Sequence, residues 1–164
     1  MSFAVSRDGG ALEYSGSDLR GLFAQRRNAV RPRFWTMIRD ILRFYREAPH
    51  DLSLGRLEGL TLGQYLSARN YSTAFVEDHL LPMAAAIWSS PLAEMSNHSA
   101  AGIVRFFDNH GLLKLDDRPV WRTVDGGARE YVKRLTAAYA DRVKLGNAAR
   151  RVIRRDRGVW IEDA

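Results

Sequence analysis

Apolar positions change their spacing along this chain, and the changes predict its elements. Phe3–Ser6 and Ala11–Tyr14 have strand-like composition and flank Arg7-Asp8-Gly9-Gly10, whose Asp and Gly residues suit a tight turn, so the chain is expected to open with a β-hairpin. Asp18 can cap a short helix through about Gln25, and Pro32 suits the first turn of a longer one, where its missing N–H costs nothing. On that longer helix Phe34, Trp35, Met37, Ile38, Ile41, Leu42 and Tyr45 recur at helical spacing, with Arg39, Asp40, Arg43, Arg46 and Glu47 on the other side. Pro49 is expected to end it.

Thr61 predicts the N-cap of a short helix carrying Leu62, Tyr65 and Leu66, and Ser72 that of a longer one running towards Trp88. Pro82 falls inside the second, where an interior proline costs about 3 kcal/mol and predicts a kink or break. Asn97 is the expected cap of a helix with Ile103, Val104, Phe106 and Phe107 on its apolar side, stopped at Gly111. Pro119–Val124 then reads as extended, Ala128–Tyr139 as helix, and Arg142–Leu145, Ala149–Arg154 and Gly158–Glu162 as strands. The terminal strand, Val159-Trp160-Ile161, needs a neighbour, expected in sequence outside the chain. These elements predict an α+β fold, with a mainly helical middle between an N-terminal β-hairpin and C-terminal strands.

With 164 residues, 46% of them apolar, the chain can bury a sizeable core and is expected to form one unit over 1–164. Its longest apolar stretch, Leu80–Trp88, is far short of the roughly 20 residues that span a bilayer, and Met1–Gly10 has no signal-peptide pattern, so a cytoplasmic location is expected. There is no cysteine, which removes disulfides, thiolate nucleophiles and cysteine-ligated metal sites. No G-x-G-x-x-G, G-x-x-x-x-G-K-[ST] or G-x-S-x-G is present, and His50, His79, His98 and His110 lack metal-ligand spacing, so no metal is expected. His79 shares a stripe with Phe75, Val76, Leu80 and Met83 and reads as a partly buried structural histidine. Glu77-Asp78, Asp116-Asp117 and Glu162-Asp163 are adjacent pairs whose side chains should diverge, and they read as solvated surface.

The segment Trp121-Arg122-Thr123-Val124-Asp125-Gly126-Gly127-Ala128-Arg129-Glu130-Tyr131-Val132 is an extended stretch entering a Gly-Gly turn that opens a helix. Free N–H groups and the positive end of the helix dipole would face whatever approaches that turn. This stretch resembles the motif that follows the substrate domain in flavin-dependent amine oxidoreductases. The runs His79–Ser90, Arg105–Leu113 and Trp121–Val124 are similar to a bacterial branch of that group described as predicted NAD/FAD-binding proteins, and the similarity covers essentially the whole chain.

The resemblance implies a longer two-domain FAD protein that begins with a strand, a glycine-rich turn and a helix for the pyrophosphate. Residues from about 1 to 118 would be its substrate domain, and those from about 119 to 164 the return into the flavin domain. It implies that Gly126 and Gly127 lie beside the flavin, that Ala149 and Val152 meet its adenine end, and that Trp88 and Trp121 wall the substrate cavity. The family's usual valine is replaced by the smaller Ala149. The implied activity is hydride transfer from a small-molecule substrate to FAD, with the catalytic residue unassigned and the flavin-binding domain of the same protein as partner. The chain alone is expected to be inactive and to carry no FAD.

The net charge of +6 and a sequence pI near 10.0 suggest an alternative, a basic helical binding module for nucleic acid or a protein partner, centred on Arg20, Arg26, Arg27, Arg31 and Arg33. No helix-turn-helix pattern or aromatic platform accompanies those arginines, so nucleic acid is the less expected partner.

Overall fold

The computed structural model describes residues 3–16, 19–115, 119–120 and 122–163. The chain divides into two compact units, Met1–Trp121 and Arg122–Ala164. The fold is α+β and mainly helical, with a small antiparallel hairpin towards each end.

The first unit opens with β1 (Ala4–Arg7) and β2 (Leu12–Ser15), each placed one residue later than composition suggests. Val5 pairs with Tyr14, and this pair faces inward. The turn uses left-handed backbone at Asp8, Gly9 and Gly10, the conformation that glycine adopts most readily. After α1 (Leu19–Leu22) and a 3₁₀ turn (Arg26–Val30), α2 runs over Pro32–Ser53. The expected cap Asp18 lies outside the described residues.

Helix α2 begins at Pro32 as expected but continues through Pro49 for one more turn. Proline removes one backbone donor, and the turn beyond it is held by the packing of Ala48 and by the hydrogen bonds that Asp51 accepts from Arg56, Tyr65 and Arg69. The buried stripe is Phe34, Met37, Ile41, Phe44 and Ala48. Trp35 and Leu42, expected on it, are about half exposed, and Trp35 is held instead by donating from Nε1 to Ala29 O at 2.8 Å. Asp40, expected on the polar side, is fully buried.

Helix α3 (Leu62–Ala68) starts at the expected Thr61, where a capping box forms: Gln64 N donates to Thr61 Oγ1 at 3.2 Å and Thr61 N to Gln64 Oε1 at 2.9 Å. Ser72 likewise accepts from Phe75 N and starts α4 (Thr73–Phe75). There the helix widens into a π-turn (Val76–Leu80) before narrowing to α5 (Leu81–Trp88). Pro82 therefore stands in the first turn of a fresh α-helical segment, where its missing donor is tolerated, and the predicted break takes the form of a π-turn. The cap of α6 (Ala100–Asn109) is Ser99, not Asn97, which belongs to a preceding 3₁₀ turn (Leu92–Asn97).

The core of this unit gathers Phe44, Phe75, Leu57, Leu62, Leu80, Met95, Val104 and Phe107, all essentially inaccessible. Two buried carboxylates join its helices. Asp40 accepts from Ser72 N at 2.9 Å and from Arg39 Nε at 3.1 Å, tying α2 to the start of α4. Asp51 accepts from Tyr65 Oη at 3.0 Å, from Arg56 at 3.1 Å and from Arg69, tying the end of α2 to α3. Burial by itself raises both carboxyl pKa values, but these hydrogen bonds outweigh it and hold both groups below the usual carboxylate range.

The second unit contains α7 (Arg129–Thr136), shorter than the predicted Ala128–Tyr139, a 3₁₀ turn (Ala140–Arg142), and the antiparallel pair β3 (Ala149–Arg155) and β4 (Gly158–Asp163). The strand expected over 142–145 does not form. The neighbour of Val159-Trp160-Ile161 is β3 itself, because Asp156 and Arg157 form a tight turn that folds the chain back. No described residue of this unit is buried.

Candidate functional site

The residues singled out for the cofactor all lie in the second unit. Gly126 and Gly127 form the turn that leads into α7, with φ of +80° and +86°, and both are exposed. A Cβ on Gly127 would meet nothing within 4 Å, whereas one on Gly126 would come within 2.9 Å of Glu130 Cγ. The first residues of α7 have no side-chain cap, so this end of the helix offers backbone donors. The turn is itself held by Gly127 N donating to Val124 O at 2.9 Å and Glu130 N to Gly127 O at 3.1 Å.

Ala149 and Val152 stand three residues apart, a spacing that puts side chains on opposite faces of a regular strand. Here the register shifts between Ala149 and Arg151, so that Ala149 opposes Asp163, Arg151 opposes Glu162, and Val152 opposes Ile161. Opposed residues share a face, and Asp163 and Ile161 are two apart. The bulge therefore brings Ala149, Val152 and Ile161 onto one face of the hairpin. Arg151, Ile153, Arg155, Trp160 and Glu162 take the other.

The two tryptophans assigned to the substrate cavity differ in what can be said of them. Trp121 lies outside the described residues. Trp88, at the end of α5, is partly buried against α6, with its ring 4.7 Å from that of Phe106 and 6.0 Å from that of Phe107. His110 stacks on the same Phe106 at 3.9 Å and its Nδ1 lies 2.8 Å from Phe106 O. Trp88 is thus part of an aromatic stack that continues the core of the first unit.

The first unit also holds a cleft of about 350 Å³ that sequence reading missed, lined by Leu12, Phe34, Met37, Arg7, Arg31, Arg33 and the Glu77-Asp78 pair. That pair was expected to diverge as solvated surface. Asp78 is instead buried and accepts from Arg7 and from Arg33 Nε at 2.7 Å, while the exposed Glu77 meets the same two guanidiniums at 3.4 and 3.2 Å. The hydrogen bond to Asp78 raises the Arg33 pKa. Both carboxylates are committed to clasping the hairpin onto the helices. No local pattern announced this, because Arg7 and Arg33 stand 71 and 45 residues from Asp78 in the chain.

Behind the clasp, Tyr14 Oη donates to Asp78 O at 2.8 Å and lies 2.9 Å from His79 Nδ1. Burial first, and the Asp78 charge second, raise the Tyr14 pKa. His79 is buried, as expected, and stacks on Phe75 at 6.0 Å. Among the described residues, no group of three or more metal-ligating side chains converges, and no helix is long and apolar enough to cross a membrane.

Neither protein-family models, nor curated proteins, nor solved structures show a match to this chain.

Proposed function

We propose that this chain is the substrate-side part of an FAD-dependent, amine oxidase-like oxidoreductase, in which a substrate carbon gives a hydride to flavin. The observation that carries the reading is the Gly126-Gly127 turn. Two successive left-handed glycines stand exposed at an uncapped helix start, with open space where a Cβ of Gly127 would be. Such a turn permits close approach of a planar ring to backbone, which no side-chain-bearing residue would allow at the same φ.

Under this reading the Gly126-Gly127 turn and the Ala149–Val152 face are the two surfaces that this chain would offer to a flavin. Gly127 would meet the ring system, the first N–H groups of α7 would face its electron-rich edge, and the Ala149–Val152 face would supply apolar contact towards the adenine end. They do not form a pyrophosphate cradle, which the proposal assigns to another part of the protein. Bound FAD would supply the redox chemistry, and the chain's own residues would shape and position. A cytoplasmic location belongs to the same proposal.

Absorption spectroscopy tests it. The 164-residue chain should carry no stoichiometric flavin after gel filtration, while the longer gene product containing it should show oxidised-flavin bands that bleach when an amine substrate is added. A colourless longer product would remove the basis of the reading.

A further inference from the structure

The arginines of the two units are used differently. In the first, Arg27 and Arg31 donate to the carbonyls of Gly10 and Ala11, Arg7 and Arg33 clasp Asp78, and Arg56 and Arg69 hold Asp51. They hold the fold together. The segment 122–164 contains eleven Lys and Arg against six Asp and Glu, so it carries +5 of the chain's +6. Among the described residues, Arg150, Arg154 and Arg157 make no side-chain hydrogen bond or ion pair, and Arg151 has only a 3.9 Å approach to Glu162.

Strand β3 places four of these arginines among its seven residues. The register puts Arg151, Ile153 and Arg155 on one face together with Trp160 and Glu162 from β4, so one acid stands among the arginines of this face. Trp160 is 62% exposed, an unusual position for the largest apolar side chain, and the Arg155 guanidinium lies 5.7 Å from its ring centroid. An exposed aromatic ring beside arginines on a two-stranded ribbon combines the two elements that single-stranded nucleic acid binding uses. Bases stack on the ring and phosphates meet the arginines.

We propose that this face of the β3–β4 hairpin binds single-stranded nucleic acid, with Trp160 as the stacking platform and Arg151 and Arg155 as phosphate contacts. The face is opposite to Ala149 and Val152, and the inference does not depend on the flavin reading. This platform lies apart from Arg20, Arg26, Arg27, Arg31 and Arg33, where the sequence suggested a basic module, and it forms only when the hairpin brings Trp160 alongside β3. Duplex is disfavoured because its base faces are already stacked. A lipid surface is disfavoured because the hairpin tip, Arg155-Asp156-Arg157-Gly158, has no apolar residue to insert and carries an acid.

Fluorescence anisotropy of a labelled oligouridylate of about 12 nucleotides, titrated with the whole chain, tests this. Binding is expected in the micromolar range and should weaken steeply between about 50 and 200 mM salt. Trp160→Ala should weaken it roughly tenfold, and Trp160→Phe should retain most of it, which separates stacking from loss of the hairpin. Arg155→Gln should weaken binding and flatten the log–log salt slope by about 0.7, while Arg26→Gln, an equal charge change in the first unit, should alter affinity less than about twofold. The proposal is overturned by no binding at about 100 µM chain, by equal affinity of Trp160→Ala and wild type, by tighter binding of duplex than single strand, or by equally tight, Trp160-dependent binding to anionic vesicles.

Discussion

Replacing Asp51 by Ala removes a buried carboxylate that three donors share, and the structure allows the cost to be apportioned. Tyr65 is 2% exposed, so its hydroxyl is left buried without its acceptor at 3.0 Å, a loss of about 1–3 kcal/mol. The side chains of Arg56 and Arg69 are 57% and 37% exposed and can return to water, so each ion pair contributes only about 0.5 kcal/mol. The total is about 3 kcal/mol. Urea unfolding followed by far-ultraviolet circular dichroism, which reports the helices of the first unit, should show a midpoint lower by about 2 M with little change in slope. Adding Tyr65→Phe removes the orphaned hydroxyl while keeping the ring against Phe44 and Tyr71, and should recover about 1–2 kcal/mol relative to the single variant. Additivity of the two substitutions to within about 0.3 kcal/mol would refute the reasoning, since it would mean that the carboxylate and the hydroxyl are not energetically coupled.

Acid should destabilise the first unit through Asp40 and Asp51. Their folded pKa values are depressed, so the stability they contribute is present above the unfolded value of about 3.9 and is lost as pH falls through the folded values; urea midpoints measured from pH 6 to pH 2 should decline below about pH 4, less so in Asp51→Ala. Trp88→Ala should cost about 2 kcal/mol by opening the stack on Phe106 and Phe107, seen as a lower thermal midpoint, whether or not a substrate ever touches that ring. Gly111→Ala should cost at least about 1–2 kcal/mol in the same assay, because φ is +65° and the new methyl would collide with the Pro119 ring.

What the sequence made legible was whatever depends on neighbours in the chain. The caps at Thr61 and Ser72, the start of α2 at Pro32 and the first hairpin each rest on residues within a few positions of one another, and each formed. Pro49 and Pro82 were read through their local penalty, which tertiary contacts offset in one case and a π-turn accommodated in the other. The long-range features were invisible. Asp40 lay on the polar side of its helix by periodicity, yet it is buried because Ser72, 32 residues on, presents an N–H to it. The Asp78 clasp likewise depends on arginines from two distant elements. At the proposed flavin wall, the glycine turn was legible from composition, but the shared face of Ala149 and Val152 depends on a bulge, and the open ring of Trp160 among arginines depends on a pairing register that the sequence alone did not specify.

The flavin reading stands or falls on the Gly126-Gly127 turn. In the longer protein that the flavin reading proposes, Gly127→Val would place a branched side chain at φ +86° where a ring is proposed to approach, in space that none of the described residues occupies. Flavin absorbance per protein and substrate turnover, measured on the variant and on wild type with matching circular dichroism spectra, decide it. A fall in flavin content or turnover without loss of helical signal is predicted, and unchanged occupancy together with unchanged turnover would contradict it.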